Sequence, residues 1–404
     1  MRKRVPVVIA VAAVSLGISC SEPEAEHRQP TAPTAPSFAK GGTGGGGGIK
    51  VKSISVSPSG ASLEVEQQVQ LVATSNPPGA ATSFTWTSTN TAVATVTTSG
   101  LVTAEGAGSA TIRASAAGKT GTATVTVASP PPPPPPPGAS VLLAAGDIAE
   151  CTSSGDEATA NLLDGLEGTI VTLGDNVYPV GSTTDFANCY DGSWGRHKDR
   201  TRPSPGNHEY LTTGASGYFA YFGSIAGDPT QGYYSYNLGA WHVIVLNSNS
   251  SCSTISCSAT SQQVQWLRAD LAANPTACTL AYWHHPRFNS GAQHGNNSAV
   301  APFWDALFDL GADVVLNGHE HVYERFAPQT PGGIADAAGG IRQFTVGTGG
   351  ADHYSFGTIK PNSEARSGNA TGVLRLILKQ NGYDWQFMSA AGSTFTDSGS
   401  GTCH

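Results

Sequence analysis

The segment IVTLGDNVYP, residues 170–179, joins an apolar run to a polar turn. Its first four residues are apolar or β-branched, which is typical of a buried strand. Gly174 ends that strand, so Asp175 follows its carboxyl end and Tyr178 comes three residues later. Functional groups of open α/β sheets gather at the carboxyl ends of strands. A single aspartate there is usually an ordinary turn residue, so the rest of the chain must decide its role.

Four further segments share this design of an apolar strand or turn followed by a polar group. They are VLLAAGD, TRPSPGNHE, TLAYWHHP and DVVLNGHEH, which present Asp147, Asn207, His208, His284, His285, His319 and His321. Carboxylate, imidazole and amide groups suit iron, manganese and zinc ions. The set contains no thiolate, which argues against a structural zinc site. The sequence therefore predicts a metal centre at the strand ends.

Helical patterns alternate with these strands. TSQQVQWLRADLAANP, residues 260–275, predicts a helix capped by Ser261 that buries Val264, Leu267 and Leu271 on one face. APFWDALFDLG, residues 301–311, predicts a second helix that ends at its glycine. Strands that alternate with helices predict an α/β core with helices covering the sheets.

Residues 141–325 resemble the calcineurin-like metallophosphoesterases, and most closely the purple acid phosphatases. The motifs GD, GDNVY, GNHE, WHHP and GHEH occur in the order of that family, and GHEHVYER at 318–325 is especially similar. The resemblance implies an α/β (α+β) four-layer sandwich of two mixed sheets flanked by helices. It also implies two metal ions about 3.5–4 Å apart. The expected activity is hydrolysis of phosphate monoesters by attack of a metal-bound hydroxide.

The resemblance assigns roles residue by residue. One metal would be bound by Asp147, Asp175, Tyr178 and His321, and the other by Asp175, Asn207, His284 and His319. Asp175 would bridge the two ions. A tyrosinate ligand implies Fe(III) beside a divalent Fe, Zn or Mn ion. The alternative is that Tyr178 only packs in its loop and leaves a zinc or manganese enzyme.

The same resemblance suggests catalytic and supporting groups. His208 and His294 are the catalytic candidates, expected to bind phosphate and to assist the leaving group. Glu209 and Glu320 are expected to orient neighbouring imidazoles. His285 is expected to lie behind the ligands or at the surface.

Residues 1–20 are predicted to be a signal peptide, because a basic start precedes an apolar run that ends at Ser19. LGISC, residues 16–20, resembles a lipoprotein cleavage box that would lipidate Cys20, and plain secretion is the alternative. We therefore expect an exported protein, either a lipoprotein of the bacterial outer membrane or cell surface or a secreted protein. Six further cysteines suit disulfides in an oxidising compartment. Cys252 is predicted to pair with Cys257, and Cys151 with Cys189 is the next expected pair.

Composition shifts divide the rest of the chain. Residues 21–48 predict a disordered Gly-rich tether, and 130–138 a polyproline linker. Residues 49–129 contain the short alternating segments SISVSP, QVQLVAT, SFTWTS, AVATVT, ATIRASA and TATVTVA, which predict an all-β sandwich. This segment resembles the bacterial group 2 immunoglobulin-like domain and contains neither His nor Cys. A spacer is expected there, with adhesion or glycan binding as the alternative, and residues 139–404 form the catalytic domain.

The charge balance limits the partners. The net charge is −8, and Lys and Arg do not cluster beyond the N-terminus, so no nucleic-acid-binding surface is expected. A small phosphate ester is the expected substrate, and membrane contact is expected only through a lipid anchor. Two alternatives stay open: a phosphodiesterase of the same fold acting on nucleotides, lipids or phosphate polymers, and a surface binding or adhesion protein with an inactive phosphoesterase-like domain.

Overall fold

The computed structural model describes residues 50–106, 108–128, 132–390, 392–393 and 395–404. The predicted signal peptide, Cys20 and the tether lie outside these described residues, so the expectations about them stay predictions. Within the described ranges, no helix has the length and apolar character needed to cross a membrane. The predicted domain boundaries also stay predictions.

The N-terminal part is all-β. Its strands are β1 (Ser53–Ser57), β2 (Gly60–Glu64), β3 (Gln68–Gln70), β4 (Val72–Asn76), β5 (Thr85–Ser88), β6 (Ala94–Val96), β7 (Leu101–Ala104), β8 (Gly108–Ala116) and β9 (Lys119–Ala128). They form sheets of order β1-β4, β2-β9-β8-β5 and β3-β7-β6. Alternate side chains such as Val102, Ile112 and Val125 are fully buried between them. This pattern is the one expected of strands with one face in a core.

One predicted strand of this part is divided in the structure. QVQLVAT breaks at Leu71 into β3 and β4, which pair with β7 and β1 and thus belong to different sheets. The Leu71 side chain is buried, and its amide donates to the carbonyl of Gly100 at 2.9 Å. The short strands β2 and β7 were not predicted, because each shows only four or five residues of weak alternation.

The remaining strands build two mixed sheets. They are β10 (Ser140–Ala145), β11 (Thr169–Leu173), β12 (Thr201–Ser204), β13 (Tyr234–Leu238), β14 (Trp241–Val245), β15 (Cys278–Tyr282), β16 (Val314–Asn317), β17 (Tyr323–Phe326), β18 (Arg342–Val346), β19 (Ser363–Ser367), β20 (Gly372–Lys379), β21 (Gly382–Ser389) and β22 (Ser398–Thr402). The six-stranded sheet has the order β12-β11-β10-β20-β21-β22, and the seven-stranded sheet has the order β13-β14-β15-β16-β18-β17-β19. In each sheet, parallel neighbours (β10 to β12, and β14 to β16 with β18) sit beside antiparallel ones.

Helices and short helical turns connect these strands. The longer helices span Gly155–Asp164, Ser216–Phe222, Gln262–Ala273 and Ala301–Asp309, and the short turns span Thr183–Asp185, Phe186–Tyr190, Trp194–Arg200, Glu209–Leu211, Thr213–Ala215 and Gly223–Ala226. Both predicted helices form. The Ser261 hydroxyl accepts the amide of Val264 at 3.2 Å and caps the first of them. The second ends two residues before Gly311, whose φ is 73°.

The two sheets are packed between helices. In β14, Val243 and Val245 join the core that also contains the residues of β10 and β11, whereas Ile244 packs with Leu267 and Trp304 of the covering helices. This alternation buries the seven-stranded sheet on both faces, as β14 requires with its five fully buried residues. The expected fold class is therefore confirmed for both parts of the chain.

Three disulfide bonds form among the described residues, over sequence separations of 5, 38 and 125 residues. Both predicted pairs, Cys252–Cys257 and Cys151–Cys189, are formed. A third bond, which the sequence did not assign, links Cys278 at the start of β15 to Cys403 just after β22, with 5.3 Å between their Cα atoms. It therefore fastens the seven-stranded sheet to the last strand of the six-stranded sheet.

Candidate metal centre

The predicted ligands follow neighbouring parallel strands of the two sheets. Asp147 and Asp175 are each the second residue after β10 and β11, and His284 and His319 are each the second after β15 and β16. Parallel neighbours end at one edge of a sheet, so these turns meet at one place. The structure brings all seven predicted ligand residues together there, in two groups that share one carboxylate.

The first group, called here the tyrosine group, consists of Asp147, Asp175, Tyr178 and His321. The Tyr178 hydroxyl lies 3.0 Å from His321 Nε2 and 3.2 Å from Asp147 Oδ1. It lies 3.5 Å from Asp175 Oδ2. The His321 Nδ1–H donates to the carbonyl of Asp352 at 2.5 Å, which turns Nε2 toward the group. Asp175 and Tyr178 can therefore reach one point even though they are three residues apart.

The second group, called the histidine group, consists of Asp175, Asn207, His284 and His319. His284 Nε2 lies 3.0 Å from Asn207 Oδ1, 3.1 Å from Asp175 Oδ2 and 3.1 Å from His319 Nδ1. The His284 Nδ1–H donates to the carbonyl of Leu173 at 2.8 Å, which fixes the ring. Asp175 Oδ2 therefore faces both groups, as a bridging ligand must.

The donor set fits a metal ion better than it fits hydrogen bonding. His284 Nε2 has two oxygens and another imidazole nitrogen within 3.1 Å, and one proton on Nε2 can serve only one of them well. Burial disfavours charge on His284, but the Asp175 carboxylate outweighs burial and raises the pKa of His284 to about 9. A cation at the common centre would serve all the donor atoms at once.

Burial and neighbouring charges also shift the pKa values of two other predicted ligands. Burial and the Asp147 carboxylate raise the pKa of Tyr178 well above its ordinary value. Burial and the neighbouring His285 and His284 hold the pKa of His319 well below its ordinary value, so His319 is a neutral imidazole, the form that binds metals. A bound cation would reverse the field at Tyr178 and favour its phenolate.

Three of the predicted ligand residues have left-handed backbones. Asp147, Asp175 and His319 have φ values of 59°, 46° and 72°. Residues other than glycine rarely adopt the left-handed region, because each such residue costs about 1–2 kcal/mol of conformational energy. Gly174 precedes Asp175. A Cβ atom at Gly174 would lie 2.6 Å from His284 Nδ1, so a larger residue would clash with that ring. The turns that direct these three side chains toward the candidate centre are therefore strained.

This strain predicts an unusual order of stability at position 319. In chelator-treated protein, we expect His319→Gly to be more stable than His319→Ala by about 1 kcal/mol, because glycine adopts a positive φ without strain. Urea unfolding followed by circular dichroism measures both variants. The same pair of changes at His353, which is outside the left-handed region, should give the opposite order. A glycine variant at 319 that is less stable than the alanine variant would contradict the idea of strain.

The two catalytic candidates stand at the mouth of the centre. His208 Nδ1 donates to the carbonyl of Pro179 at 2.6 Å, and Nε2 lies 3.9 Å from Asp175 Oδ2. The His294 ring stacks on His319 with 3.9 Å between centroids, and its Nδ1 lies 3.1 Å from Glu320 Oε2. Their side chains are 31% and 34% exposed, so both can meet a molecule that enters from solvent.

The supporting residues differ in their contacts. Glu320 contacts the His294 imidazole, as expected. Among the described residues, no hydrogen bond joins Glu209 to an imidazole. Its buried carboxylate instead accepts four backbone amides, from Asp175, Asn176, Val177 and Gly206. Glu209 therefore clamps the turns after β11 and β12 together, because a buried carboxylate needs several donors.

His285 is buried behind the ligands. Its Nδ1 lies 2.8 Å from the Ser248 hydroxyl, and its ring centroid lies 4.2 Å from that of His319. Of the two places that the sequence left open for this residue, the structure selects the interior.

The YER end of GHEHVYER contributes contacts within the fold. Tyr323 and Arg325 both donate to Asp397, each at 2.7 Å. Glu324 accepts the amide of Ser290 at 2.8 Å. These residues anchor β17 to the segments around it, so their contacts are structural.

Sequence reasoning missed the segment GTGGADHY, residues 347–354, which follows β18. The carbonyl of Asp352 accepts the His321 imidazole, and the Tyr354 ring stacks on His321 with 4.0 Å between centroids and 7° between planes. Burial, together with the Asp147 and Glu320 carboxylates, raises the pKa of Tyr354 to about 12. The available signal was a further apolar strand that ends in glycine, FTVGTGG.

Two mixed sheets between helices, with these polar turns at the adjoining strand ends, define the metallophosphoesterase class of fold. Comparison with known families agrees. The calcineurin-like phosphoesterase family matches residues 133–323, and the bacterial Ig-like domain (group 2) matches residues 50–128. The chain therefore carries a bacterial Ig-like domain followed by a calcineurin-like phosphoesterase domain.

Similar proteins with curated names include several purple acid phosphatases. Purple acid phosphatase 15 of Arabidopsis thaliana is 26% identical over 222 residues, which cover 46% of this chain and 40% of that protein. Purple acid phosphatase 22 of the same plant is 34% identical over 29% of this chain and 27% of its own length. Acid phosphatase type 7 of Danio rerio is 30% identical over 31% of this chain and 33% of its own length. The matched region thus spans less than half of each relative.

Solved structures share the fold at low identity. The purple acid phosphatase PPD1 from yellow lupin (Lupinus luteus) seeds has a TM-score of 0.52 at 13% identity, covering 86% of this chain and 69% of that one. GAP50, the anchor in the inner membrane complex of Plasmodium, has a TM-score of 0.52 at 13% identity, covering 66% of this chain and 89% of that one. At this identity the likeness concerns the fold alone.

Proposed function

We propose that the phosphoesterase domain is a dinuclear-metal phosphatase that hydrolyses phosphate monoesters. The observation that carries this proposal is the position of Asp175 Oδ2, which lies 3.1 Å from His284 Nε2 in one group and 3.5 Å from the Tyr178 hydroxyl in the other. One carboxylate oxygen that faces two sets of donors is suited to bridging two cations. The names of the similar curated proteins support the same activity.

The two groups would hold one ion each. Asp147, Asp175, Tyr178 and His321 would bind the first, and Asp175, Asn207, His284 and His319 the second. The chemistry that such a pair supplies is activation of a water nucleophile and neutralisation of phosphoryl charge. We propose Fe(III) in the tyrosine group, because a phenolate suits a hard trivalent ion, and a divalent Fe, Zn or Mn ion in the histidine group. Metal analysis with visible absorption from an iron–tyrosinate pair tests this assignment.

His208 and His294 would bind the substrate and handle its proton. In each ring Nδ1 is already engaged, with the Pro179 carbonyl and with the Glu320 carboxylate. The neutral ring thus uses its one N–H at Nδ1, so Nε2 of each could donate to a phosphoryl or leaving-group oxygen when the imidazole is doubly protonated. A leaving alkoxide needs such a proton, so these residues would act as donors at the end of the P–O bond that breaks.

Initial rates on paired substrates test the proposed function. We expect the metal-loaded protein to hydrolyse an aryl phosphate monoester at least about tenfold faster than the matching diester, because a monoester leaves more charge for the metals and the histidines to stabilise. Chelator-treated protein is the control and should be inactive. Faster hydrolysis of the diester would reassign the domain as a phosphodiesterase. Retained metals without turnover of either substrate would favour a binding or adhesion role with an inactive phosphoesterase-like domain.

We also propose that the protein is exported. The three disulfides of the catalytic part would persist in an oxidising compartment. Anchoring through a lipidated Cys20 and plain secretion remain the two routes, and radiolabelled fatty acid incorporation that is lost in Cys20→Ser separates them. The Ig-like domain is proposed as a spacer between anchor and enzyme.

A further inference from the structure

Three side-chain rings pack against the rings of predicted ligands at the solvent-exposed side of the centre. His208 lies against Tyr178 with 4.4 Å between centroids, and His294 lies against His319 at 3.9 Å. The third is Tyr354, which lies flat on His321 at 4.0 Å. The first two are the residues to which the sequence assigned phosphate binding. Tyr354 packs in the same way against a third predicted ligand, His321.

The backbone fixes Tyr354 in this place. Its amide donates to the carbonyl of His321 at 3.0 Å, and the carbonyl of Asp352 accepts the imidazole of the same histidine. Ala351, in the same segment, donates to the carbonyl of Asp147 at 3.0 Å. The loop is thus tied to the tyrosine group at three points, so the ring has little freedom to leave.

The Tyr354 hydroxyl is placed to reach a molecule in the centre. Within the described residues the side chain makes no hydrogen bond, and its ring is held between those of His321 and His294. The ring centroid is 5.8 Å from that of His294. A phenol is a hydrogen-bond donor at neutral pH. An anion bound between the two groups would present an acceptor to it.

We propose that Tyr354 is a substrate-binding residue whose hydroxyl donates a hydrogen bond to a non-reacting oxygen of the bound phosphoryl group. This inference rests on the proposed function. His208, His294 and Tyr354 would then surround the phosphoryl group with three donors, each held by a ligand ring. These donors would add to those of the Asn207 side-chain amide, whose carbonyl oxygen is the predicted metal-binding atom.

A single hydroxyl separates this role from a purely structural one. Tyr354→Phe keeps the stacked ring on His321 and removes only the donor, whereas Tyr354→Ala removes both. We expect Tyr354→Phe to lower kcat/KM by about 10- to 100-fold and to weaken inhibition by inorganic phosphate by a similar factor, with unchanged metal content. Tyr233→Phe is the matched control, because Tyr233 packs against Trp266 outside the centre and should keep wild-type kinetics.

Direct titration of the metal-loaded proteins with inorganic phosphate completes the test. If Tyr354→Phe matches wild type within twofold in kcat/KM and in phosphate affinity, the inference is wrong. A loss of metal in Tyr354→Ala alone would then show that the ring has only a structural role. If wild type binds phosphate without hydrolysing either ester, the proposed function fails, and the phosphate affinity of the variant still decides the role of Tyr354. If wild type binds no phosphate, both proposals fail.

Discussion

Asp175→Asn is expected to lose both metal ions and to lower kcat/KM by about 1,000-fold or more. The reason is that Oδ2 of this carboxylate lies within 3.1 Å of a donor in the histidine group and 3.5 Å of one in the tyrosine group. An amide supplies no negative charge and cannot bridge two cations. The measurement combines metal analysis of the purified variant with initial rates on an aryl phosphate.

The variant should still fold, which makes its loss of activity interpretable. Asp175 has a φ of 46°, and asparagine is one of the few residues that adopt this conformation readily. Its circular dichroism spectrum should therefore match that of wild type. The matched control is Asp305→Asn, which changes an exposed aspartate on the helix Ala301–Asp309 and should keep metals and activity. Full activity and two bound ions in Asp175→Asn would rule out the proposed centre.

Removing the Cys278–Cys403 bond is expected to cost roughly 5 kcal/mol in the free energy of unfolding. The two cysteines are 125 residues apart, so the bond restricts a long loop of the unfolded chain. A loss of this size is a large share of the typical total of about 5–15 kcal/mol. Urea unfolding of the double variant Cys278→Ser/Cys403→Ser, compared with wild type under oxidising conditions, measures the loss.

The bond between Cys252 and Cys257 is the internal control. It spans only 5 residues, so its removal by two serine substitutions should cost roughly 2 kcal/mol by the same reasoning. The difference between the two double variants tests the loop-length explanation directly. Equal losses, or a larger loss for the short loop, would show that local packing and not chain restriction sets the contribution of these bonds.

The sequence predicted that these polar residues would lie close together, because each lies in a short segment with a strong local pattern. An apolar β-branched run identifies a strand, the glycine after it marks the turn, and the next polar residue must lie at the strand end. Asp147, Asp175 and His319 all satisfy this pattern. The parallel order of the strands then brings the turns together, so a one-dimensional pattern determines a three-dimensional neighbourhood.

Contacts that depend on how loops cross could not be read from the sequence. Tyr354 reaches His321 only because the segment after β18 folds back over the end of β16. Glu209 looks like a partner for an imidazole, yet its oxygens meet backbone amides, which leave no trace in the residue types around it. The Cys278–Cys403 pair likewise depends on the last strand lying beside a strand of the other sheet.

The left-handed backbone at these turns also affects which substitutions the domain would accumulate during evolution. At Asp147 and Asp175 the backbone favours glycine or asparagine over aspartate, and both replacements need only one nucleotide change from an aspartate codon. A lineage that no longer needed the activity would therefore gain stability at these positions as mutations accumulate. In such a lineage the aspartates would be among the first residues to drift.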